Sequence, residues 1–133
     1  MFSSFLADTN LKPIICIVED DTAVRESLKL VLEVNGYSVE EFETGHALLT
    51  RGDFARLACI VMDVNLPGES GLQTLERLRN QSVTTPVFIV TARADDSVRR
   101  ESKRLNAAAF FEKPVPARAL LEAIGGIETR VLL

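Results

Sequence analysis

The sequence has few of the features that mark membrane, secreted or nucleic-acid-binding proteins. No apolar run reaches the roughly 18 residues that a membrane-spanning helix needs, and the N-terminus MFSSFLADTN lacks the basic region of a signal peptide. Acidic residues outnumber basic ones by 19 to 15, and a net charge of -4 disfavours direct contact with nucleic-acid phosphates. We therefore expect a cytoplasmic protein with no membrane partner and no direct nucleic-acid partner.

Cysteine and histidine are also scarce, which narrows the available chemistry. Cys16 and Cys59 both lie inside apolar runs, where buried hydrophobic side chains are a better interpretation than a disulfide or a metal pair. The single histidine, His46, falls in the second predicted helix and is interpreted as a surface residue. Any metal site in this chain is therefore expected to use oxygen ligands.

What the chain does have is a repeated alternation of strands and amphipathic helices. Its 133 residues, 47% of them apolar, are enough for one domain with its own core. Five strand-like segments each precede a helical pattern, which predicts an α/β fold, doubly wound around a parallel sheet. The second segment alternates and is expected at an edge. The predicted strands are IICIV from Ile14, YSVEEF from Tyr37, ACIVMD from Ala58, PVFIVT from Pro86 and AAAFFEKP from Ala107.

Polar residues gather where the predicted strands end, which is where an open parallel sheet binds its ligands. Carboxylates about 4 Å apart repel one another by about 1 kcal/mol in water and by more at lower dielectric, so such a cluster favours a bound cation. Oxygen ligands favour a hard ion such as Mg²⁺, Mn²⁺ or Ca²⁺. The strand ends carry Glu19, Asp20, Asp21, Asp63, Thr91 and Lys113.

Asp63 is the best candidate for a nucleophile at this edge. It stands alone at the end of a central strand, and the Pro-Gly turn after it frees backbone groups for a metal. A carboxylate placed beside a metal can attack phosphorus and form an acyl phosphate. Thr91 would then bind a phosphoryl oxygen through its hydroxyl, and Lys113 would do so through its positive charge.

Four segments together resemble a known family. IVEDD, VMDVNLPGESG, IVTA and FFEKP, in this order and spacing, are similar to the receiver domains of two-component response regulators. The resemblance covers the chain from about Ile14 to Ile127. It implies a flavodoxin-like (βα)5 fold whose five parallel strands lie in the order 2-1-3-4-5. We accordingly divide the chain into an N-terminal extension (1–13), a receiver domain (14–130) and a C-terminal tail (131–133).

The same resemblance implies a role for each residue around the metal. Asp63 is implied to be the phosphoacceptor and to ligate Mg²⁺, for which Mn²⁺ can substitute. Asp20 is implied to ligate the ion directly. Glu19 is implied to support the direct ligands without touching the ion, or to bind it through a water. Asn65 is implied to offer its backbone carbonyl to the metal.

The resemblance also implies how the phosphoryl group is held and sensed. Thr91 corresponds to the switch hydroxyl, and Phe110 to the aromatic residue whose rotamer is coupled to it. Lys113, before a cis Pro114, corresponds to the amine that binds the phosphoryl group. The helix around Ser97 has the thinnest apolar stripe, so little packing energy would resist its movement.

The implied function is a phosphoacceptor in a phosphorelay and not an enzyme of metabolism. A sensor histidine kinase or a phosphotransfer protein would supply the phosphoryl group, while the receiver catalyses the transfer and its own dephosphorylation. The face formed by the fourth helix, fifth strand and fifth helix would change, to control a partner or output domain or to form a receiver homodimer. The sequence leaves open whether the chain stands alone or belongs to a longer regulator.

Several positions depart from the commonest family pattern. Glu19 stands where Asp is more usual, and Phe110 lacks the hydroxyl of a Tyr. Asn106 stands where Gly is frequent, but Asn tolerates the left-handed backbone. Asn65 and Arg93 occupy variable positions thought to tune dephosphorylation.

Three other functions fit parts of the pattern. An Mg²⁺-dependent phosphatase would usually have Asp two residues after its nucleophile, where this chain has Asn65. A flavodoxin needs a phosphate-binding loop after the first strand, where this chain has Glu-Asp-Asp. A degenerate receiver that takes no phosphate is the more serious rival, and it is disfavoured because every acceptor, metal and phosphate-binding position is filled.

Overall fold

The structure of this chain, a computed structural model, describes residues 12–132, with side chains described up to residue 127. The extension predicted over residues 1–13 falls mostly outside that stretch, and the tail predicted over 131–133 ends outside it. Within it lie the strands β1 (Ile14–Val18), β2 (Ser38–Phe42), β3 (Leu57–Asp63), β4 (Val87–Thr91) and β5 (Ala109–Glu112). They alternate with the helices α1 (Thr22–Val34), α2 (Gly45–Arg51), α3 (Gly71–Asn80), α4 (Asp96–Arg104) and α5 (Ala117–Leu132). A 3-10 turn over Phe54–Arg56, absent from the sequence prediction, precedes β3.

All five strands pair in parallel in the order β2-β1-β3-β4-β5, which confirms the predicted sheet. β2 lies at an edge, as its alternating sequence indicated. β1 and β3 lie side by side inside the sheet, and helices cover both of its faces, which explains their continuous apolar sequences. The chain passes from β1 to β2 on one side and then to β3 on the other. Ligands bind at such a reversal, outside the carboxyl ends of β1 and β3.

Apolar side chains form a core on each face of the sheet. Successive residues of a strand point to opposite faces, so Ile15 and Cys16 belong to different cores. α1 and α5 cover one face, to which they contribute Leu28, Leu32, Leu120 and Ile124. α2, α3 and the residue after α4 cover the other face, to which they contribute Leu48, Leu75, Leu78 and Leu105.

Cys16 is expected to make the fold sensitive to alkaline pH. Burial, with a smaller contribution from Glu40, raises the pKa of its thiol from 9.0 to about 12. The folded chain therefore holds the thiol proton more tightly than the unfolded chain. This stabilisation is complete below pH 9 and is lost as the pH rises toward about 12, by about 1.4 kcal/mol per pH unit.

Urea unfolding at about pH 8 and about pH 10.5 tests this expectation. Between these conditions, Cys16→Ala should lose about 2 kcal/mol less stability than the unmodified protein, because the unfolded thiol ionises and the folded one does not. Cys59→Ala, which removes the other buried free thiol, is measured in the same way for comparison. Equal losses in the protein and in Cys16→Ala would contradict the assigned pKa.

Arg79 joins two loops at the amino-terminal edge of the sheet. From the end of α3, its guanidinium donates four hydrogen bonds of 2.9 to 3.1 Å to backbone carbonyls. Asn106 has a left-handed backbone with φ of 56°, as expected at that position. The C-terminal end of α4 is thus fastened to the body of the protein. The accepting carbonyls belong to Val83, Thr85, Leu105 and Asn106.

Candidate functional site at the carboxyl edge of the sheet

Three carboxylates meet where β1 and β3 end. Glu19 and Asp20 follow β1 directly, and Asp63 is the last residue of β3. One oxygen from each of the three lies within 4.8 Å of the others, so this group can hold a metal ion. Glu19 is 2% exposed and Asp63 is 4% exposed, whereas Asp20 is open to solvent. The parallel topology has therefore brought together the acids that the sequence placed at separate strand ends.

Asp21, the remaining acid in this loop, has a different role. Its side chain accepts a hydrogen bond of 3.1 Å from the backbone N–H of Val24 and caps the start of α1. Its own backbone N–H donates to Glu19 Oε2 at 3.2 Å. Asp21 therefore supports the loop, while its neighbours supply the carboxylates of the cluster.

Lys113 lies between the two buried carboxylates. Its Nζ is 2.8 Å from Asp63 Oδ2 and 2.6 Å from Glu19 Oε1. The residue follows β5 directly, and its backbone N–H donates to the carbonyl of Thr91 at 2.8 Å, which fixes its position beside β4. The bond from Lys113 to Pro114 is cis, as the resemblance implied.

The buried acids and Lys113 alter one another's pKa values. Burial raises the pKa of Glu19, although its hydrogen bond with Lys113 acts in the opposite direction. Burial disfavours the charged form of Lys113, but hydrogen bonds to Asp63 and Glu19 outweigh this effect and raise its pKa. Lys113 is therefore a cation at neutral pH. Three acidic side chains and one lysine give the site a formal charge of -2, which favours a divalent cation.

The loop after β3 folds closely around Asp63. The N–H of Asn65 donates to Asp63 Oδ1 at 3.1 Å, and the N–H of Gly71 donates to the carbonyl of Val64 at 2.9 Å. A Cβ atom on Gly71 would lie 2.0 Å from the backbone carbonyl oxygen of Asp63. Only glycine fits this approach, which the sequence indicated no further than as a turn.

Thr91 and Phe110, on β4 and β5, have partners outside the carboxylate cluster. Thr91 is 2% exposed at the end of β4, and its hydroxyl donates to the carbonyl of Arg93 at 3.1 Å and accepts from the N–H of Arg93 at 3.2 Å. Phe110 is half-buried on β5 against one core. The guanidinium carbon of Arg99 lies 5.0 Å from its ring centre. The structure thus brings the three acids and Lys113 together, whereas the Thr91 hydroxyl and the Phe110 ring contact other residues.

Arg25 is a residue at this edge that the sequence analysis missed. It is only 9% exposed, and its guanidinium donates to the backbone carbonyl of Glu19 at 2.7 Å. Its spacing to Leu28 and Leu32, the other buried residues of α1, is the signal that was available. A charged residue that continues an apolar helical stripe faces the sheet and needs a buried partner.

The comparisons with known proteins agree with this fold. A family model described as response regulator receiver domain matches residues 15–125. The transcriptional regulatory protein FixJ of Azorhizobium caulinodans is 37% identical over 108 residues, which cover 81% of this chain and 51% of FixJ. The response regulator MprA of Mycolicibacterium vanbaalenii is 38% identical over 109 residues, which cover 80% of this chain and 46% of MprA. The chain thus spans about half the length of these curated relatives.

Solved structures show the same architecture. The chemotaxis protein CheY4 of Vibrio cholerae superimposes with a TM-score of 0.79 at 26% identity, covering 88% of this chain and 99% of CheY4. The response regulator StyR superimposes with a TM-score of 0.81 at 33% identity, covering 87% of this chain and 59% of StyR. Separately, none of the helices within residues 12–132 is long and apolar enough to cross a membrane.

Proposed function

Because the chain belongs to the response regulator receiver domain family, we propose that it accepts a phosphoryl group on Asp63 and passes on a signal by changing shape. The position of Asp63 carries the proposal. Its carboxylate ends a central strand, is 4% exposed, contacts Lys113 and lies beside two further acids. Receiver domains interact with histidine kinases, so the proposed donor is the phosphohistidine of such a kinase or of a phosphotransfer protein. A cytoplasmic location accords with that role, because histidine kinases draw on cytoplasmic ATP.

Mg²⁺ is the proposed metal, with Mn²⁺ as a substitute. The donor set supports this choice, because it offers carboxylate oxygens with neither His nor Cys among them. Asp20 and Asp63 would ligate the ion through their carboxylates, and Asn65 would ligate it through its backbone carbonyl. Glu19 would contact the direct ligands or bind the ion through a water. When bound, the ion supplies positive charge that offsets the repulsion between these carboxylates and an incoming phosphoryl group.

In the proposed reaction, one carboxylate oxygen of Asp63 attacks the phosphorus of the donor. An O–P bond forms as the P–N bond of phosphohistidine breaks, and the imidazole leaves with the electron pair and takes a proton from solvent. Lys113 Nζ, 2.8 Å from Asp63 Oδ2, is placed to pair with a phosphoryl oxygen after transfer. Attack by water at phosphorus would later restore the carboxylate, so the protein would also catalyse its own dephosphorylation.

Thr91 would couple the phosphoryl group to the rest of the molecule. To reach it, the Thr91 hydroxyl must rotate away from its two hydrogen bonds with the backbone of Arg93. That release would free the loop leading to Asp95, the N-cap of α4. The proposed output is therefore a change on the face formed by α4, β5 and α5, which would contact a partner, an output domain or a second receiver.

The weak attachment of α4 supports this switch. Within α4 only Ser102 is fully buried, and its hydroxyl has no hydrogen-bond partner. A buried hydroxyl without a partner destabilises its arrangement by about 1–3 kcal/mol. Beside it, Phe110 packs between the core and Arg99. Few buried contacts along α4 would therefore resist a shift of its first turns, as the thin apolar stripe in its sequence predicts.

The proposal is tested by the intact mass of the protein after treatment with acetyl phosphate and Mg²⁺. We expect one phosphoryl adduct in the unmodified protein, none in Asp63→Asn and none when EDTA removes the metal. Asn keeps the shape of the side chain but is a far weaker nucleophile than a carboxylate. Asp53→Asn is the matched control, because Asp53 is an exposed aspartate in a turn outside the site, and it should label normally. An adduct that persists in Asp63→Asn, or no adduct where another receiver labels, would contradict the proposal.

A further inference from the structure

Arg25 is the only buried cation among the described residues. It extends from α1 toward the loop between β1 and α1 and toward the end of β2. Its Nη1 donates to the carbonyl of Glu19 at 2.7 Å, and its Nε donates to Glu41 Oε1 at 3.3 Å. Its Nη2 lies 3.6 Å from Glu43 Oε1. One guanidinium therefore links the loop that carries the metal-site acids to the neighbouring strand.

The carbonyl that Arg25 binds belongs to the peptide unit joining Glu19 to Asp20. A peptide unit is planar, so fixing its oxygen also fixes the direction in which the backbone enters Asp20. The preceding peptide unit is held as well, because the N–H of Glu19 donates to the carbonyl of Phe42 at 2.9 Å. Rotation of the Glu19–Asp20 peptide unit would turn the side chain of Asp20 and shift that of Glu19. Arg25 thus holds the peptide unit that joins two of the three acidic residues.

The charge of Arg25 by itself would act against metal binding, because a cation near the site repels Mg²⁺. Its partners Glu41 and Glu43 offset this charge on the side away from the cluster. The orienting effect and the charge effect therefore have opposite signs. Removing Arg25 weakens metal binding if orientation dominates and strengthens it if charge dominates.

We propose that Arg25 is a positioning residue for the metal site, which holds the Glu19–Asp20 peptide unit in the orientation that the cation requires. The inference rests on the proposed function, since it takes the carboxylate cluster as a metal site. It adds a residue outside that cluster on which the affinity for the ion depends. We expect Arg25→Met to weaken the binding of Mn²⁺ at least tenfold, which corresponds to about 1.4 kcal/mol.

The experiment measures the dissociation constant of Mn²⁺ from the EPR signal of the free ion, without any phosphoryl donor. Arg25→Lys keeps a positive charge and a donor for the Glu19 carbonyl, so it should recover part of the affinity. Arg51→Met is the matched control, because Arg51 makes a two-bond ion pair with Glu40 at 2.7 and 3.0 Å, away from the cluster. It should bind Mn²⁺ like the unmodified protein, even where its unfolding free energy falls.

Each outcome separates the inference from the function on which it rests. Equal or tighter Mn²⁺ binding by a folded Arg25→Met would overturn the inference and leave the proposed metal site intact. No Mn²⁺ binding by the unmodified protein would overturn both. Circular dichroism checks that each variant is folded. If Arg25→Met does not fold, Arg25→Gln replaces it and should likewise bind Mn²⁺ at least tenfold more weakly. The Gln side chain is shorter than that of Arg, so its amide cannot reach the Glu19 carbonyl.

Discussion

Replacing Gly71 by alanine is expected to lower the free energy of unfolding by about 3 kcal/mol, the upper part of the range for overpacked interiors. The added Cβ atom would lie 2.0 Å from the backbone carbonyl oxygen of Asp63 and 2.9 Å from its carbonyl carbon. That carbonyl belongs to the last residue of β3, an inner strand whose backbone is paired on both sides. The start of α3 must move instead, and with it the hydrogen bond from Gly71 to Val64.

The same substitution should slow phosphorylation of Asp63, because a shift at the start of α3 also moves the loop after β3, whose Asn65 N–H donates to the Asp63 carboxylate. A misplacement of about 1 Å at a reacting group is worth on the order of 100-fold in rate. Urea unfolding gives the stability, and the rate of adduct formation with acetyl phosphate gives the reactivity.

Gly126→Ala is the control for Gly71→Ala. No atom lies within 4 Å of the position its Cβ would take, and Gly126 lies inside α5. Alanine in a helix interior is favoured over glycine by about 1 kcal/mol, so this variant should be slightly more stable than the unmodified protein. The two glycine-to-alanine changes should therefore have opposite signs. A Gly71→Ala variant with unchanged stability would mean that the loop after β3 is much looser than its contacts indicate.

Replacing Lys113 by methionine is expected to cost about 2–3 kcal/mol of unfolding free energy in metal-free buffer. The change removes the cation shared by Glu19 and Asp63, which are 2% and 4% exposed. Loss of one partner of a buried ion pair costs about 3–5 kcal/mol, and the partial exposure of Lys113 reduces that figure. Mg²⁺ should restore part of the stability, since it supplies positive charge to the same carboxylates.

The loss in Lys113→Met should also depend on pH. Burial already raises the pKa of Glu19 above its ordinary value, and the hydrogen bond from Lys113 lowers it. Without the lysine this pKa rises further, so the folded chain binds a proton more tightly than the unfolded chain. Stability is then recovered as the pH falls through the raised pKa, and the loss is larger at about pH 8 than at about pH 5.

Urea unfolding at both pH values, with and without Mg²⁺, measures these effects. Lys103→Met is the matched control, because Lys103 is an exposed lysine on α4 and its side chain lies away from the cluster. A surface change of this kind usually alters stability by less than about 0.5 kcal/mol. If Lys113→Met were as stable as Lys103→Met in metal-free buffer, the two buried carboxylates would not depend on the lysine.

The sequence predicted the parts of the site that follow from topology. Parallel strands place their carboxyl ends on one edge, so the ends of β1, β3 and β5 were expected on the same edge once the βα alternation was recognised. This is why Glu19, Asp20, Asp63 and Lys113 could be placed together from their positions at strand ends. The edge position of β2 was likewise visible in its alternating sequence.

The parts that the sequence did not predict depend on distances between segments. The rotamer of the Thr91 hydroxyl is set by the backbone of Arg93, and the need for glycine at Gly71 is set by the carbonyl of Asp63. The burial of Arg25 was not predicted, because a single arginine in a helix usually faces solvent. Its ion pairs are with one acid in β2 and one directly after it, 16 and 18 residues further along the chain.

The four hydrogen bonds of Arg79 have a mechanical consequence for α4. Two of them hold the carbonyls of Leu105 and Asn106, at the end of the helix that is farther from Asp63, and the other two go to the loop before β4. A displacement that starts in the loop after Thr91 would therefore be a swing about that fixed end, largest at the first turn of α4 and smallest at its last. A partner that binds near Asp95 would register most of the motion, whereas one that binds near Leu105 would meet nearly the same surface in both states.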